Sequence, residues 1–289
     1  MRILWIGGTG YLSRHLSDDA TRHELVSTYR STPLPGLRHS IPLDVTEVDA
    51  FPRVFDLIQP DAVIYAAALN PGAGTEDEMF AVNATGAGEA ARQAHERGIR
   101  FVYVSTDHVH AGTHAPYADD AAPTPINVYG RTKAAGEAHV LDADPGACCV
   151  RTSLIYSLEH IDRGTGAFAR RLNAGETLYL FDDAIRQPVE ADQFIAALFE
   201  LAGHDYAGSI NVAGSTSLNR TRFAQLMLTF WGVPYNDQTL TSGPASAVTT
   251  GTPLDLRLDL TAAKRILSQP PSGVERVLAA HAVSKFGTL

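Results

Sequence analysis

The stretch Ile3-Leu4-Trp5-Ile6-Gly7-Gly8-Thr9-Gly10 decides the fold that we expect for this chain of 289 residues. Its four apolar residues indicate a buried strand, and Gly7 and Gly10 permit a tight turn that brings the backbone close to an anion. A helix after such a turn offers free N–H groups and its positive dipole end to a pyrophosphate. The stretch therefore predicts a dinucleotide-binding turn. Because Ser13 replaces the third glycine of the pattern, a plain glycine turn remains the alternative.

Short apolar segments and amphipathic stretches alternate through the rest of the first half. Strands are predicted at residues 25–29, 39–43, 62–66, 101–105 and 148–151, and helices at 48–58, 79–97 and 129–141. Such alternation is typical of βαβ units, whose right-handed crossovers build a doubly wound sheet. The predicted fold class is therefore α/β, a Rossmann-type doubly wound parallel sheet with a smaller C-terminal α/β substrate lobe.

The second half of the chain has a different pattern. Helices are predicted at residues 165–173, 192–201, 221–230 and 261–267, strands at 177–181 and 209–212, and an exposed loop rich in Ser, Thr, Gly and Pro at 236–253. We expect residues 1–152, completed by a returning segment near 186–212, to form the NAD(P)-binding domain. Residues 153–185 and 213–289 are expected to form the smaller substrate-binding lobe.

Composition narrows the class of protein. The formal net charge is −9, and no Lys/Arg cluster supplies the basic face that a nucleic-acid-binding protein needs. Cys148 and Cys149 are adjacent, so on a strand they point to opposite faces, and we expect buried thiols with no disulfide and no metal. No segment approaches the ~20 apolar residues of a membrane span. These features favour a cytoplasmic protein that acts on a small molecule.

The end of the second strand bears on the choice of cofactor. An acid there would bond the ribose 2′-hydroxyl of NAD, but the sequence reads Thr28-Tyr29-Arg30-Ser31, and Arg30 could pair with the 2′-phosphate of NADP. We therefore predict NADP (as NADPH) in preference to NAD. The whole predicted cofactor-binding set comprises Gly7, Thr9, Gly10, Tyr11, Leu12, Arg30, Asp44, Val45, Ala66, Ala67 and Ala68, together with Tyr129 and Lys133. Within it, Asp44 would accept from the adenine amino group.

Two further segments indicate proton-transfer chemistry. The fifth strand ends at Thr106, and the next long helix carries Tyr129 and Lys133 four residues apart, which places them on one face. A tyrosine with a pKa near ~10 is a poor acid or base at neutral pH, but a nearby ammonium group stabilises its phenolate. Tyr129 could then protonate an alkoxide during carbonyl reduction, while Lys133 bonds the nicotinamide ribose and Thr106 holds the substrate oxygen. These three are the predicted catalytic residues.

A family resemblance rests on residues 7–12, Leu43-Asp44-Val45-Thr46, Ser105-Thr106-Asp107-His108 and Tyr129-Gly130-Arg131-Thr132-Lys133. With these segments the chain resembles the extended short-chain dehydrogenase/reductases and, among them, the dTDP-4-dehydrorhamnose reductase branch of the epimerase/dehydratase-like proteins. The resemblance implies that NAD(P)H reduces the 4-keto group of a nucleotide-linked deoxysugar, with Tyr129 as proton donor. It also allows a homodimer.

The substrate end departs from that resemblance. His108 stands where the reductases carry a tyrosine, and Leu154 replaces an aromatic residue. The predicted substrate-binding residues are Thr106, Asp107, His108, Leu154 and Arg186, the last as a ligand of the substrate's diphosphate.

Two other functions stay open. A sugar-nucleotide epimerase would use the same three catalytic residues, whereas a 4,6-dehydratase would carry a glutamate at the position of His108, which argues against dehydration. A non-catalytic, NADP-binding regulatory subunit, such as that of methionine adenosyltransferase, resembles the same branch. Formation of oxidised cofactor with a substrate would separate the enzymes from the regulatory subunit.

The cofactor prediction can be tested with one substitution. Arg30→Ala should weaken NADPH binding by roughly tenfold or more and barely affect NADH, since only NADPH carries the phosphate that a charge-assisted hydrogen bond would reach. Titration calorimetry on nucleotide-free protein measures both affinities. Equal losses for the two cofactors would show that Arg30 does not contact the 2′-phosphate.

Overall fold

The computed structural model describes residues 1–16, 23–33, 35–37 and 39–281. In chain order its strands are β1 (Arg2–Ile6), β2 (Glu24–Tyr29), β3 (Ser40–Pro42), β4 (Ala62–Tyr65), β5 (Arg100–Thr106), β6 (Cys148–Thr152), β7 (Ile155–Tyr156), β8 (Leu178–Phe181), β9 (Ile185–Arg186), β10 (Val189–Glu190), β11 (Gly208–Asn211), β12 (Leu218–Asn219) and β13 (Leu240–Gly243). The eight strands predicted from the sequence each coincide with one of these to within one residue at either end.

The helices, also in chain order, are α1 (Phe51–Ile58), α2 (Glu76–Phe80), α3 (Gly86–Glu96), α4 (Val128–Ala143), α5 (Arg163–Asn173), α6 (Ala191–Ala202), α7 (Arg220–Phe230), α8 (Thr261–Ile266) and α9 (Val274–Ala280). A π-helical segment, Ala81–Thr85, joins α2 to α3, and short 3-10 turns cover Leu12–His15, Val48–Ala50, Asp107–Val109 and Ala245–Ala247. Within the described residues, none of the helices is long and apolar enough to cross a membrane.

Seven parallel strands form the central sheet, in the order β11-β6-β5-β4-β1-β2-β3. The chain builds outward from β1 to β3 on one side and then crosses to β4 on the other. A crevice therefore opens between the carboxyl ends of β1 and β4, which is where doubly wound sheets bind ligands. The predicted fold class is confirmed.

Helices cover both faces of the sheet, as the strand patterns require. Trp5 and Cys148 pack with α6 and α8 on one face, whereas Tyr65, Tyr103 and Cys149 pack with α1, α3 and α4 on the other. Both cysteines are fully buried and free, on opposite faces, as predicted. The strand β11 extends the sheet beyond β6, so the late segment around residues 191–211 returns to the main sheet.

The smaller lobe has an apolar core of its own, built from α5, α7, α9 and short strands. One prediction here was wrong: residues 236–253 are not simply an exposed loop. They contain β13, which pairs in parallel with β8 from Leu178 to Phe181, and Leu240 is buried in the lobe's core. The high Ser, Thr and Gly content hid this strand, because pairing with β8 and one buried leucine outweigh weak local propensity.

A helix was predicted directly after the glycine turn. The structure describes a single 3-10 turn there, Leu12–His15, and the next part of the chain, residues 17–22, lies outside the described residues.

A buried ion pair links α4 to β6. The Arg151 guanidinium donates to both carboxylate oxygens of Glu137, at 2.8 Å for the shortest bond, and each side chain is only 4% exposed. Arg151 also donates to the carbonyls of Asp119 and Ala121, at 3.1 and 3.0 Å. The Ser105 hydroxyl donates to Glu137, at 2.5 Å. These charges are therefore paired and hydrogen-bonded, which is the condition under which burial is tolerated.

Breaking this pair should be costly. Glu137→Gln should lower the free energy of unfolding by about 3 kcal/mol or more, because Arg151 would stay buried without a counter-charge. Glu76→Gln is the control: it breaks the exposed ion pair with Arg131, also on α4, and should cost less than about 1 kcal/mol. Urea denaturation measures both variants, and similar losses would contradict the argument.

Candidate active site

A cavity of about 680 Å³ occupies the crevice at the carboxyl ends of the strands. This volume falls within the range of small-molecule sites, about 300–1,000 Å³. All the predicted cofactor-binding and catalytic residues border it, and so do Asp107, His108 and Leu154. Of the predicted site residues, Arg186 alone does not.

The glycine turn is packed between two backbone segments. Gly7 has a φ of +108°, and a Cβ there would lie 2.5 Å from the backbone nitrogen of Ala67, so no larger residue fits. Ser13, at the third position of the pattern, donates its hydroxyl to the Gly7 carbonyl at 2.8 Å and accepts from the Trp5 indole at 2.9 Å. The serine thus holds the turn through a side-chain bond that glycine could not make.

One end of the cavity combines a carboxylate with a free cation. The Asp44 carboxylate accepts from the backbone N–H and the hydroxyl of Thr46, at 3.0 and 2.8 Å, and these bonds hold its pKa below the usual range. Arg30 is exposed, borders the same cavity, and has no hydrogen-bond or ion-pair partner among the described residues. This end can therefore accept one donor group and pair with one anion.

Tyr129 and Lys133, four residues apart on α4, also border the cavity. The Lys133 ammonium group donates to the Val104 carbonyl at 2.7 Å and lies 3.9 Å from the centre of the Tyr103 ring. Burial lowers the pKa of Lys133 to about 7, although Glu137 opposes the shift. Lys133 is therefore a cation that can lose its charge near neutral pH.

The pKa of Tyr129 is shifted upward, whereas that of Lys133 is shifted downward. Burial raises the pKa of Tyr129 to about 12, the negative charge of Asp107 adds to the shift, and a hydrogen bond from Thr106 reduces it. The phenol is therefore fully protonated at neutral pH and available as a proton donor. The cavity is thus bordered both by a protonated phenol and by an amine that can carry charge, the two kinds of group that general acid catalysis by tyrosine uses.

Asn83 fixes the geometry between the sheet and α4. Its side-chain amide accepts from the Leu69 N–H at 2.8 Å and donates to the Leu69 carbonyl and the Thr132 hydroxyl, both at 3.0 Å. Thr132 in turn donates to the Tyr129 carbonyl at 2.9 Å. Asn83 lies in the π-helical segment, and its own carbonyl accepts from the Tyr103 hydroxyl at 2.6 Å. It therefore connects the loop after β4 to the helix that carries Tyr129.

Asp107 and Arg186 form a buried structural contact. The Asp107 carboxylate accepts from Ser153 at 2.7 Å, and the Arg186 Nε lies 3.9 Å from the same oxygen. The other guanidinium nitrogens of Arg186 donate to carbonyls that include Pro253, at 2.9 Å, and Leu254, at 3.1 Å. The structure thus directs Arg186 to backbone carbonyls rather than into the cavity.

His108 is held in one tautomer. The Oδ1 atom of Asn127 caps α4 by accepting from the Gly130 N–H at 2.8 Å. The Nδ2 atom of the same amide lies 3.2 Å from His108 Nδ1 and must be the donor of that bond. Burial lowers the pKa of His108, which keeps the ring neutral. A neutral ring that accepts at Nδ1 carries its proton on Nε2, so His108, which borders the cavity, has one N–H donor left.

Several residues at the site were not singled out from the sequence. Asn127 and Asp162 cap α4 and α5, and an Asn or Asp before a helix is a local signal that could have located them. Arg163, which borders the cavity, is the residue directly after the Asp162 cap. Ser153 gave no such signal, because its bond to Asp107 joins residues far apart in the chain.

Comparison with known proteins places this geometry in a family. The model of the RmlD substrate binding domain matches residues 1–281. A probable low-salt glycan biosynthesis reductase of Haloferax volcanii is 31% identical over 63% of this chain and 64% of its own length, so that match spans less than two thirds of the relative. A dTDP-4-keto-6-deoxy-D-glucose reductase of Streptomyces niveus is 32% identical over 79% of this chain and 77% of its own. Methionine adenosyltransferase 2 subunit beta of Mus musculus is 30% identical over 54% of this chain and 47% of its own length.

Solved structures share the fold. The dTDP-4-dehydrorhamnose reductase of Bacillus anthracis in complex with NADP superposes with a TM-score of 0.81 over 96% of both chains, at 21% identity. The Bordetella bronchiseptica enzyme WbmG in complex with NAD gives 0.79 over 94% of this chain and 89% of that one, at 22% identity. At these identities the likeness is one of fold.

Proposed function

Because the chain belongs to the family of the RmlD substrate-binding domain, we propose that it is an NAD(P)H-dependent oxidoreductase that reduces the 4-keto group of a nucleotide-linked deoxysugar. The observation that carries the proposal is that a protonated Tyr129 and Lys133, whose pKa lies near 7, stand four residues apart on α4 and both border the cavity that the glycine turn also borders. Reductases among the relatives add support.

The residues of the cavity suit a dinucleotide. The turn at Gly7 and Gly10 would hold the pyrophosphate, Asp44 the adenine and Lys133 the nicotinamide ribose, and the bound nicotinamide would supply the hydride. The unpaired Arg30 supports NADPH over NADH, while structural neighbours bind either NADP or NAD. In this proposal residues 1–152 with the segment near 186–212 bind the cofactor, and residues 153–185 and 213–289 bind the sugar.

The chain's own groups account for the proton. Thr106 holds the carbonyl oxygen beside the Tyr129 hydroxyl. As negative charge develops on that oxygen, Tyr129 donates its proton, and the Lys133 ammonium stabilises the phenolate that remains. The Val104 carbonyl keeps Lys133 in place during the step.

Removing the phenol tests this mechanism. Tyr129→Phe should lower kcat by roughly 10²–10⁴-fold, the usual contribution of a positioned acid, while NADPH affinity stays nearly unchanged. Tyr235→Phe is the control, because it removes a hydroxyl that bonds Thr229, outside the cavity, and should leave kcat unaltered. Steady-state rates with a 4-keto sugar nucleotide and calorimetry with NADPH give the two readouts. Turnover retained by Tyr129→Phe would rule out Tyr129 as the donor.

The pKa of Lys133 predicts the pH profile of reduction. Lys133 is charged below about pH 7 and loses its charge above it, so kcat/KM for reduction should fall as the pH rises through that value. Tyr129, with a pKa near 12, stays protonated throughout and adds no inflection. Lys133→Met should be slow at every pH and lack the inflection. An inflection near pH 7 that persists in Lys133→Met would assign it to another group.

One alternative has a specific observation in its favour, the similarity to methionine adenosyltransferase 2 subunit beta. A regulatory subunit of this type would bind NADPH, but the cofactor would not be oxidised when a 4-keto sugar nucleotide is added. That result, combined with intact NADPH binding, would favour the alternative.

A further inference from the structure

We propose that Arg220 binds the diphosphate of the nucleotide-linked substrate, from its place on the smaller lobe beside the residues that line the cavity. This inference rests on the proposed function, since it concerns the substrate of the same site. Arg186 was predicted to make this contact, but its guanidinium is already bonded to backbone carbonyls.

Strand pairing places Arg220 close to the cavity. Arg220 is the first residue of α7 and directly follows β12, which pairs with β9 so that Leu218 lies opposite Arg186. Its backbone N–H donates to the Ala184 carbonyl at 3.0 Å. The neighbouring Arg186 reaches to within 3.9 Å of Asp107, which borders the cavity. Arg220 therefore stands on the smaller-lobe side of the substrate end.

The guanidinium of Arg220 lacks a partner. It is half-buried, and among the described residues nothing forms a hydrogen bond or an ion pair with its side chain. Burial lowers the pKa of Arg220, and the charge of Arg186 lowers it further, although Asp162 and Asp107 act in the opposite direction. A desolvated cation without a partner is unfavourable, so this arginine is prepared for an anion from outside the chain.

The surrounding charges indicate what kind of anion fits. Arg220 lies behind the residues that line the cavity, and it interacts electrostatically with three of them, His108, Asp107 and Asp162. Arg163, the residue after Asp162, borders the cavity itself and has no partner among the described residues. Two unpaired guanidinium groups, one on the cavity wall and one beside it, match a diphosphate, whose oxygens accept bidentate bonds from arginine.

A structural role for Arg220 makes a different prediction. The Asp162 Oδ2 is buried and has no hydrogen-bond partner among the described residues, so Arg220 could simply serve as its counter-charge. In that case Arg220→Ala and Asp162→Asn would lower the melting temperature by similar amounts, and nucleotide affinity would not change.

The test is calorimetric titration of the NADPH-saturated protein with dTDP and with UDP. Saturation with NADPH prevents either nucleotide from occupying the cofactor site. Arg220→Ala should raise the Kd of the nucleoside diphosphate by roughly tenfold to hundredfold, the loss expected for charge-assisted hydrogen bonds, and Arg220→Lys should lie between it and the wild type. Arg222→Ala, an exposed position on the same helix, is the control and should change the Kd by less than about twofold.

Each outcome is decisive. A Kd raised in Arg220→Ala, with the melting temperature of Arg220→Lys close to that of the wild type, supports the inference. Unchanged nucleotide affinity in a folded Arg220→Ala overturns it while leaving the reductase proposal intact. If the wild type binds NADPH but neither dTDP nor UDP, both the substrate class and the role of Arg220 are wrong.

Discussion

The close contact between α4 and β5 is the constraint on which the rest of the site depends. At Gly136 a Cβ would lie 2.2 Å from the Tyr103 hydroxyl and from the Asn83 carbonyl, so only glycine allows the helix to lie this near the sheet. That approach buries Lys133 beneath the strand, where the Val104 carbonyl can hold it. One turn after Lys133 on α4, Glu137 pairs with Arg151 of β6, and both side chains are buried. Packing, burial and chemistry thus have one geometric origin.

Much of the fold followed from local patterns because the central strands are continuous apolar runs. The strands β1, β2, β4, β5 and β6 could be recognised, since most of each strand is buried on both faces and needs no alternation with polar residues. The strand β13 could not be recognised, because Leu240-Thr241-Ser242-Gly243 form a strand only by pairing with β8, which lies about sixty positions earlier. The bounds of α9 were not predicted for a related reason: the helix is short, and the lobe's core determines its position.

The candidate site was predictable to the extent that its residues sit at strand ends and on one helix face. Every predicted cofactor residue borders the cavity because the carboxyl ends of parallel strands converge there. The substrate side was less predictable, since its residues reach the cavity from loops and from a second lobe. Arg186 and Arg220 show the difficulty: both are arginines near one sheet edge, and only tertiary contacts reveal that the first is bonded to carbonyls and the second is not.

The Asn127 amide has an evolutionary consequence. One group both caps α4 and sets the tautomer of His108. Replacing His108 leaves the cap intact, whereas replacing Asn127 removes the cap and releases the ring at once. The two positions are therefore coupled, and their effects on stability should not add. In a chain that has already lost His108, a substitution at 127 costs the α4 cap alone, so the order of the two changes decides what each one disturbs.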